Sequence, residues 1–546
     1  MLRSRALIFL LVGLLAGALL AGGCKARPET STAAGSTPRR GGTAVVGWPA
    51  QPASVNELIV PPSQITKEVI FQMFLHLTEE QPDFQEHPAS FKPTLAERWE
   101  WSADHKTLTF HLRPGVLWSD GVPVTADDVR WTWTAQRDPA IAWNEADAKK
   151  WMTDVEVVDP RTVRFHYSRV YAKQFLDANE GVILPRHAWE KVPFADWRKS
   201  GDWFRQHLVV DGPFTIAAWE PQQQIVLQRN PRYYRQGYPL LDRVVIRQIA
   251  DTAAGFTQLL SGDVDFLPQV NPADMARVKK DPRLELITYW ANLVVTVDWN
   301  NDQPLFRDPE VRRALTFAID RKTIVDTILG PLGRVASTPY MASIWAHDRT
   351  IQPLPYDPEQ ARRILAAKGW KDTDGDGILD KGGKPFAFEL ITNAGNSLRA
   401  DATVMIQSQL RKVGIRVTPR QVEFNTLIDQ TNNGTYQAAM FGSTVDTSLD
   451  LTNNFHSSMV GEDGNLVRYR NPEVDRLLET AAAQADPLAE RPYLERIQQI
   501  LHRDQPATFL WESQRPTAIN RRLHDVKPSP NYSLFQLEEW WVTPKV

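Results

Sequence analysis

At 546 residues the chain is too long for a single hydrophobic core, so two or three domains are expected. With 42% hydrophobic and 23% charged residues it has the composition of a soluble globular protein, and a net charge of −3 leaves no basic footprint for nucleic acid. The single cysteine, Cys24, excludes an intramolecular disulfide and a cysteine-built zinc site.

The first segment reads as an address. Arg3 and Arg5 precede an uncharged, Leu- and Ala-rich run from Ala6 to Gly23, followed by Cys24. That is the pattern of a secretory signal over residues 1–23 with a small-residue cleavage site. Ala21-Gly22-Gly23-Cys24 resembles a bacterial lipobox, with Ala21 where Leu is commonest. The resemblance implies that Cys24 is lipidated and anchors the chain to the outer face of a membrane. The alternative is one transmembrane anchor, for which the run is short. Residues 24–40, rich in Ser, Thr, Pro and Arg and without apolar periodicity, read as a flexible tether.

Gly41 to Gly47 opens the body as a strand, and Ile65 to Thr78 reads as a helix with Val69, Met73, Phe74 and Leu77 on one face. The stretch from Leu95 to Trp133 follows. Thr107 to Leu112 alternates polar and apolar residues as a half-buried strand, and Arg113-Pro114-Gly115 turns out of it. Thr125 stands three residues before Asp128, a capping-box spacing at a helix start. Asp211-Gly212-Pro213-Phe214 leads into strand-like runs at Thr215–Trp219 and Ile225–Arg229, a hairpin that ends in Asn230-Pro231-Arg232-Tyr233. Val244 to Ile246 and Gly262 to Phe266 continue the sheet pattern. Asp308-Pro309, Asp357-Pro358 and Asn471-Pro472 each place an Asx cap before a first-turn proline, and an apolar stripe follows each.

Taken in this order, the pieces resemble family 5 extracellular solute-binding proteins, the ligand-capturing subunits of ABC importers for peptides, nickel and some sugars. The resemblance runs from about Gly41 to Trp511. It implies an α/β, two-lobed periplasmic-binding-protein-like fold of type II, in the three-domain family 5 arrangement, with a hinge between lobes. Domain I is expected from residues 41–62, 181–270 and 505–546, domain II from 63–180, and domain III from 271–504. The implied partners are a small solute, a peptide or oligosaccharide, and an ABC permease in the membrane. The implied state is a monomer that closes on its ligand without a chemical step.

Related peptide binders carry a Trp, two residues, then an Asp that holds the peptide's α-amine, on a strand that pairs with the peptide backbone. Laid on Met440-Phe441-Gly442, the pattern puts Phe441 at the Trp position and Thr444 at the Asp position. Thr cannot supply the charge, so Asp446 and Asp450 are the candidates to replace it, and a neutral ligand, a blocked peptide or an oligosaccharide gains ground; the competing reading is that Thr444 is a strand residue and the ligand is anchored elsewhere. Trp48, Trp511 and Trp290, which stands before a strand read over Leu293–Val297, are the candidate aromatic contacts; the competing reading of each is a core residue.

Asp372, Asp374, Asp376 and Asp380 have the spacing of positions 1, 3, 5 and 9 of a calcium loop, with Gly377 at position 6, but Gly383 stands where a bidentate Glu belongs. They are candidate ligands for a structural calcium ion, against an acidic turn joining helix to strand. No other cofactor is expected. For catalysis there is no Gly-x-Ser-x-Gly, His-Glu-x-x-His, P-loop or Gly-x-Gly-x-x-Gly, and the 11 His are scattered. A secreted hydrolase built from distant residues and an interaction lipoprotein without a small ligand are the alternatives of other classes.

Overall fold

A computed structural model describes residues 37–61, 63–444, 446–461 and 464–544. The signal segment, Cys24 and most of the tether lie outside the described residues. Among the described residues no helix is long and apolar enough to cross a membrane.

One eleven-stranded sheet runs through the body, in the order Arg416–Val422, Ala387–Asn393, Ala438–Thr444, Leu284–Trp299, Ala507–Asn520, Phe266–Leu267, Thr43–Trp48, Arg243–Gln248, Gln224–Arg229 and Phe214–Glu220; Gly333–Val335 also pairs with Ala507–Asn520. Neighbours in space come from the start, middle and end of the chain. The expected hairpin forms as read, with Phe214–Glu220 antiparallel to Gln224–Arg229. A separate four-stranded sheet contains Ala96–Trp101 and Thr107–Leu112 from the densest stretch of the sequence. Asp128 Oδ2 accepts from Thr125 N at 2.9 Å and starts the helix Ala126–Arg137.

The hydrophobic residues segregate into separate cores. One draws on residues 44–246 together with Phe266, Ile519 and the segment 523–542, and includes Trp118, Trp189, Trp197 and Trp540. Two others draw on the region from Val294 to Trp511. The body therefore has two halves, and two long strands join them. Leu284–Trp299 and Ala507–Asn520 lie antiparallel, and their register slips between Trp290 and Val294 and again at Val295–Thr296. Such bulges bend a ladder and weaken its pairing where they occur.

Local signals set the three capped helices. Asp308 Oδ1 accepts from Glu310 N at 2.9 Å, Asp357 Oδ1 from Gln360 N at 2.7 Å, and Asn471 Oδ1 from Glu473 N at 2.9 Å, each before a first-turn proline. Two elements differ from expectation. The helix read as Ile65–Thr78 spans Gln64–Met73, because tertiary partners take the backbone that follows: Gly212 N donates to Met73 O, Leu75 N to Asp211 Oδ1, and Thr78 N to Asn179 Oδ1. The strand read as Leu293–Val297 begins instead at Leu284, since its first part pairs with the outer end of Ala507–Asn520.

One buried ion pair ties the discontinuous half together. Asp265, fully buried, accepts from Val45 N at 2.8 Å and binds Arg522 through both carboxylate oxygens at 2.6 and 2.5 Å. Arg522 also donates to Thr43 O at 3.0 Å. The first strand, the middle segment and the chain end thus converge on one charge pair. Asp265→Asn leaves the Arg522 guanidinium without its counter-charge, and the expected loss is roughly 3–5 kcal/mol of stability, read as a lower denaturant midpoint.

Candidate ligand cleft

The strand Ala438–Thr444 lies antiparallel to Leu293–Trp299 over its full length, from Trp299–Ala438 to Leu293–Thr444. On its other side the parallel strand Ala387–Asn393 is in register only at Leu390–Ala438 and Ile391–Ala439. Beyond Ala439 the outer edge of this strand has no strand partner among the described residues. An unpaired edge offers backbone donors and acceptors in a row, which an extended peptide can complete. Arg399 covers one side of this edge: its guanidinium lies 5.9 Å from the Phe441 ring, and a Cβ at Gly442 would come within 2.4 Å of its Nη2.

The candidate residues divide by position. Phe441 and Gly442 are half-buried on the open edge, and Thr444 is exposed at its end. Asp446 is exposed in the following loop, and Asp450 spends one carboxylate oxygen on the amide of Thr452 at 2.8 Å. Met440 and Trp511 point instead into the core of the second half, at 0% and 3% exposure. Trp48 is buried in the core of the first half. Trp290 is half-buried at the register slip with the Arg334 guanidinium 3.8 Å over its ring, and Arg334 is in turn paired with Glu512. Of the three tryptophans, then, two are packing residues and the third has a face already occupied.

The first half supplies a facing wall that is rich in carboxylates. The Thr447 side chain stands beside Glu80 and acts to lower its pKa, next to Asp446. Burial, reinforced by Glu180 and Asp446, raises the Glu80 pKa to about 7. Burial also raises Glu57 and Glu68 to about 7, although Glu57 accepts from Val182 N and Glu68 from Ser533 N and Leu534 N. Across the gap, burial with Asp450 and Asp486 nearby lifts Glu490 to about 8. Burial acts to lower Lys173, but Asp446, Asp177 and Asp450 together hold it above its ordinary value. Beside this wall lies a cavity of about 140 Å³, bordered by Phe71, His76, Glu80, Glu180 and Tyr532. The charges of Asp446 and Asp450 thus reach residues of the first half, which places the loop after the open edge at the gap.

Among the described residues, the halves meet at several places. Ala172 N donates to Ala482 O at 3.1 Å. Glu80 meets Thr447 as described. Phe84, at the turn between the paired strands Thr78–Glu80 and Phe91–Pro93, is fully buried in the core of the second half with Tyr340, Met341, Ile344 and Trp345. Sequence reasoning missed Phe84, Glu80, Glu180, Lys173 and Tyr532, none of which stands in a motif. The adjacent Glu79-Glu80 after an apolar helix was the one available signal.

In the acidic loop, the carboxylates of Asp372, Asp374 and Asp376 gather within 4.8 Å of one another and are exposed. Asp380 does not join them, contrary to the spacing argument. It accepts from Thr373 N and Oγ1 at 2.9 and 2.7 Å and anchors the turn instead. Asp372 is likewise engaged by the amides of Gly375 and Gly377, both at positive φ.

Comparison with known proteins agrees with this architecture. Residues 90–464 match the family described as bacterial extracellular solute-binding proteins, family 5 Middle. The oligopeptide-binding protein AppA of Bacillus subtilis is 32% identical over 526 residues, covering 95% of each chain. The structure of AppA in complex with a nonapeptide superposes with a TM-score of 0.78 over 93% of this chain and all of that one. Heme-binding protein A of Haemophilus influenzae is 27% identical over 78% of this chain and 79% of its own length.

Phe84 is covered only while the halves meet, and burying a Phe stabilises that state by about 1.5–3 kcal/mol. Phe84→Ala is expected to weaken ligand binding by roughly ten-fold or more while leaving circular dichroism and the unliganded melting temperature nearly unchanged. Calorimetric titration and a thermal melt check both parts.

Proposed function

The chain belongs to the bacterial extracellular solute-binding proteins of family 5, and from that premise we propose that it captures a peptide between its two halves and delivers it to an ABC permease. It does so as a lipoprotein held by Cys24 outside the cell membrane, and the captured solute leaves chemically unaltered. The Bacillus relative is an oligopeptide-binding protein with a bound nonapeptide, whereas the Haemophilus relative is a heme-binding protein. Family membership alone therefore leaves the ligand class open.

One observation favours a peptide: the edge of Phe441–Thr444, unpaired beyond Ala439 and followed by a loop whose carboxylates face the other half. A peptide backbone supplies alternating donors and acceptors at the strand spacing, which an oligosaccharide does not. Thr444 lacks the charge for an α-ammonium, so the backbone carries the recognition and the peptide's N-terminus contributes less.

The edge also sets the test. Removing one backbone donor leaves a buried acceptor unpaired, at a cost of about 1–3 kcal/mol. Peptides N-methylated at alternate residues are expected to bind roughly ten-fold more weakly in one of the two phases and normally in the other, by calorimetry, and mass spectrometry is expected to recover the peptide intact. Equal affinity in both phases contradicts edge pairing, and cleavage contradicts the absence of chemistry.

A further inference from the structure

We propose that the solute carries a positive charge, an ammonium or guanidinium group seated in the cavity between Glu80, Glu180 and the rings of Phe71 and Tyr532. This rests on the solute-binding reading above and adds the ligand's charge class to it.

The cavity is large enough for the end of a lysine or arginine side chain, since about 140 Å³ is several times the share of one water in the liquid. Its border holds five glutamates, Glu68, Glu79, Glu80, Glu180 and Glu538, against one cation, Lys67. His76 adds no charge, because burial, with Lys67 and Lys149 nearby, lowers its pKa to about 3. Some of the acids are already answered. Glu538 meets Arg235 at 2.8 Å, Glu68 holds two backbone amides, and Glu180 stands 3.8 Å from Lys67. Glu80 is not fully answered: its Oε1 is buried without a hydrogen-bond partner. A buried carboxylate oxygen of this kind is costly unless a proton or a cation joins it.

The remaining walls point the same way. Phe71 and Tyr532 pack edge-on at 5.2 Å, and aromatic faces attract cations. Across the gap stand Asp446, Asp450 and Glu490, with Lys173 as their counter-charge. An anionic group entering this space would meet like charge on both sides.

A pH dependence follows. The acids held near 7 are largely protonated below that value and ionised above it, so they offer charge to a cation only as pH rises through 7. The charged groups facing them are Glu180 and Asp446, which oppose ionisation, and Lys67, Lys149 and Arg515, which favour it. Lys149 is itself lowered to about 8 by burial, and it already donates to the carbonyl of Glu180.

The test titrates the purified protein with acetylated, amidated heptapeptides carrying arginine, citrulline or glutamate at each position in turn. At pH 7.5 the arginine peptide at one position is expected to bind at least ten-fold tighter than its citrulline twin, and the glutamate peptide weakest. The advantage is expected to shrink several-fold at pH 6 and to fall below two-fold in Glu80→Gln, with Glu180→Gln as the second variant. Equal binding of arginine and citrulline peptides at every position overturns the proposal and leaves peptide capture standing. A preference for glutamate overturns it too, as does an advantage that survives in both glutamine variants. Binding of no peptide of any charge overturns both this proposal and the peptide reading.

Discussion

Two antiparallel strands, Leu284–Trp299 and Ala507–Asn520, constrain everything else in this molecule. They make one sheet continuous across both halves while the hydrophobic cores stay separate. A continuous ladder resists shear and twist between the halves, so relative motion is confined to bending where pairing lapses. The slips at Trp290–Val294 and Val295–Thr296 lie in the stretch that carries chain from one core to the other. Arg334 stacked on Trp290 and paired with the buried Glu512 braces the same place. Bending there would widen or narrow the gap between the strand edge at Phe441–Thr444 and the wall at Glu80.

The gap concentrates carboxylates. Asp265 is the contrasting case of a buried acid matched by a base, where the Arg522 guanidinium and a backbone amide satisfy the carboxylate. At the gap, carboxylates crowd one another and their pKa values rise, so closing without a ligand is opposed by desolvation and like-charge repulsion. Burial of Phe84 favours closing. The balance between these terms is what a bound solute shifts, since it must interact with both halves to favour the shut state.

Much of the fold was legible because it rests on local chemistry. The Asx-Pro starts at 308, 357 and 471, the box at Thr125 and Asp128, and the hairpin at 214–229 depend on neighbours in sequence, and they form as read. The end of the helix at Met73 was not legible, because Asp211, Gly212 and Asn179 set it from more than a hundred residues away. The cleft was legible on one wall only. The segment 440–450 was singled out for its likeness to peptide-binding strands, yet within it Met440 turns into the core of the second half while Phe441 lies half-buried on the opposite face against a small cluster at Ile391 and Leu427, an alternation fixed by register with Leu293–Trp299. The opposite wall comes from Glu57, Lys67, Glu80, Lys173 and Glu180, scattered between positions 57 and 180 and unremarkable until folding brings them together. Trp48 and Trp511 show the converse: aromatic residues placed near the cleft by likeness that packing has claimed for the cores.

A molecule whose halves shut on a solute becomes more compact when that solute binds. Small-angle X-ray scattering of the purified protein, with and without a saturating peptide shown by calorimetry to bind, tests it most directly. A smaller radius of gyration in the liganded sample is the predicted result. An unchanged scattering profile in the presence of stoichiometric binding would contradict it.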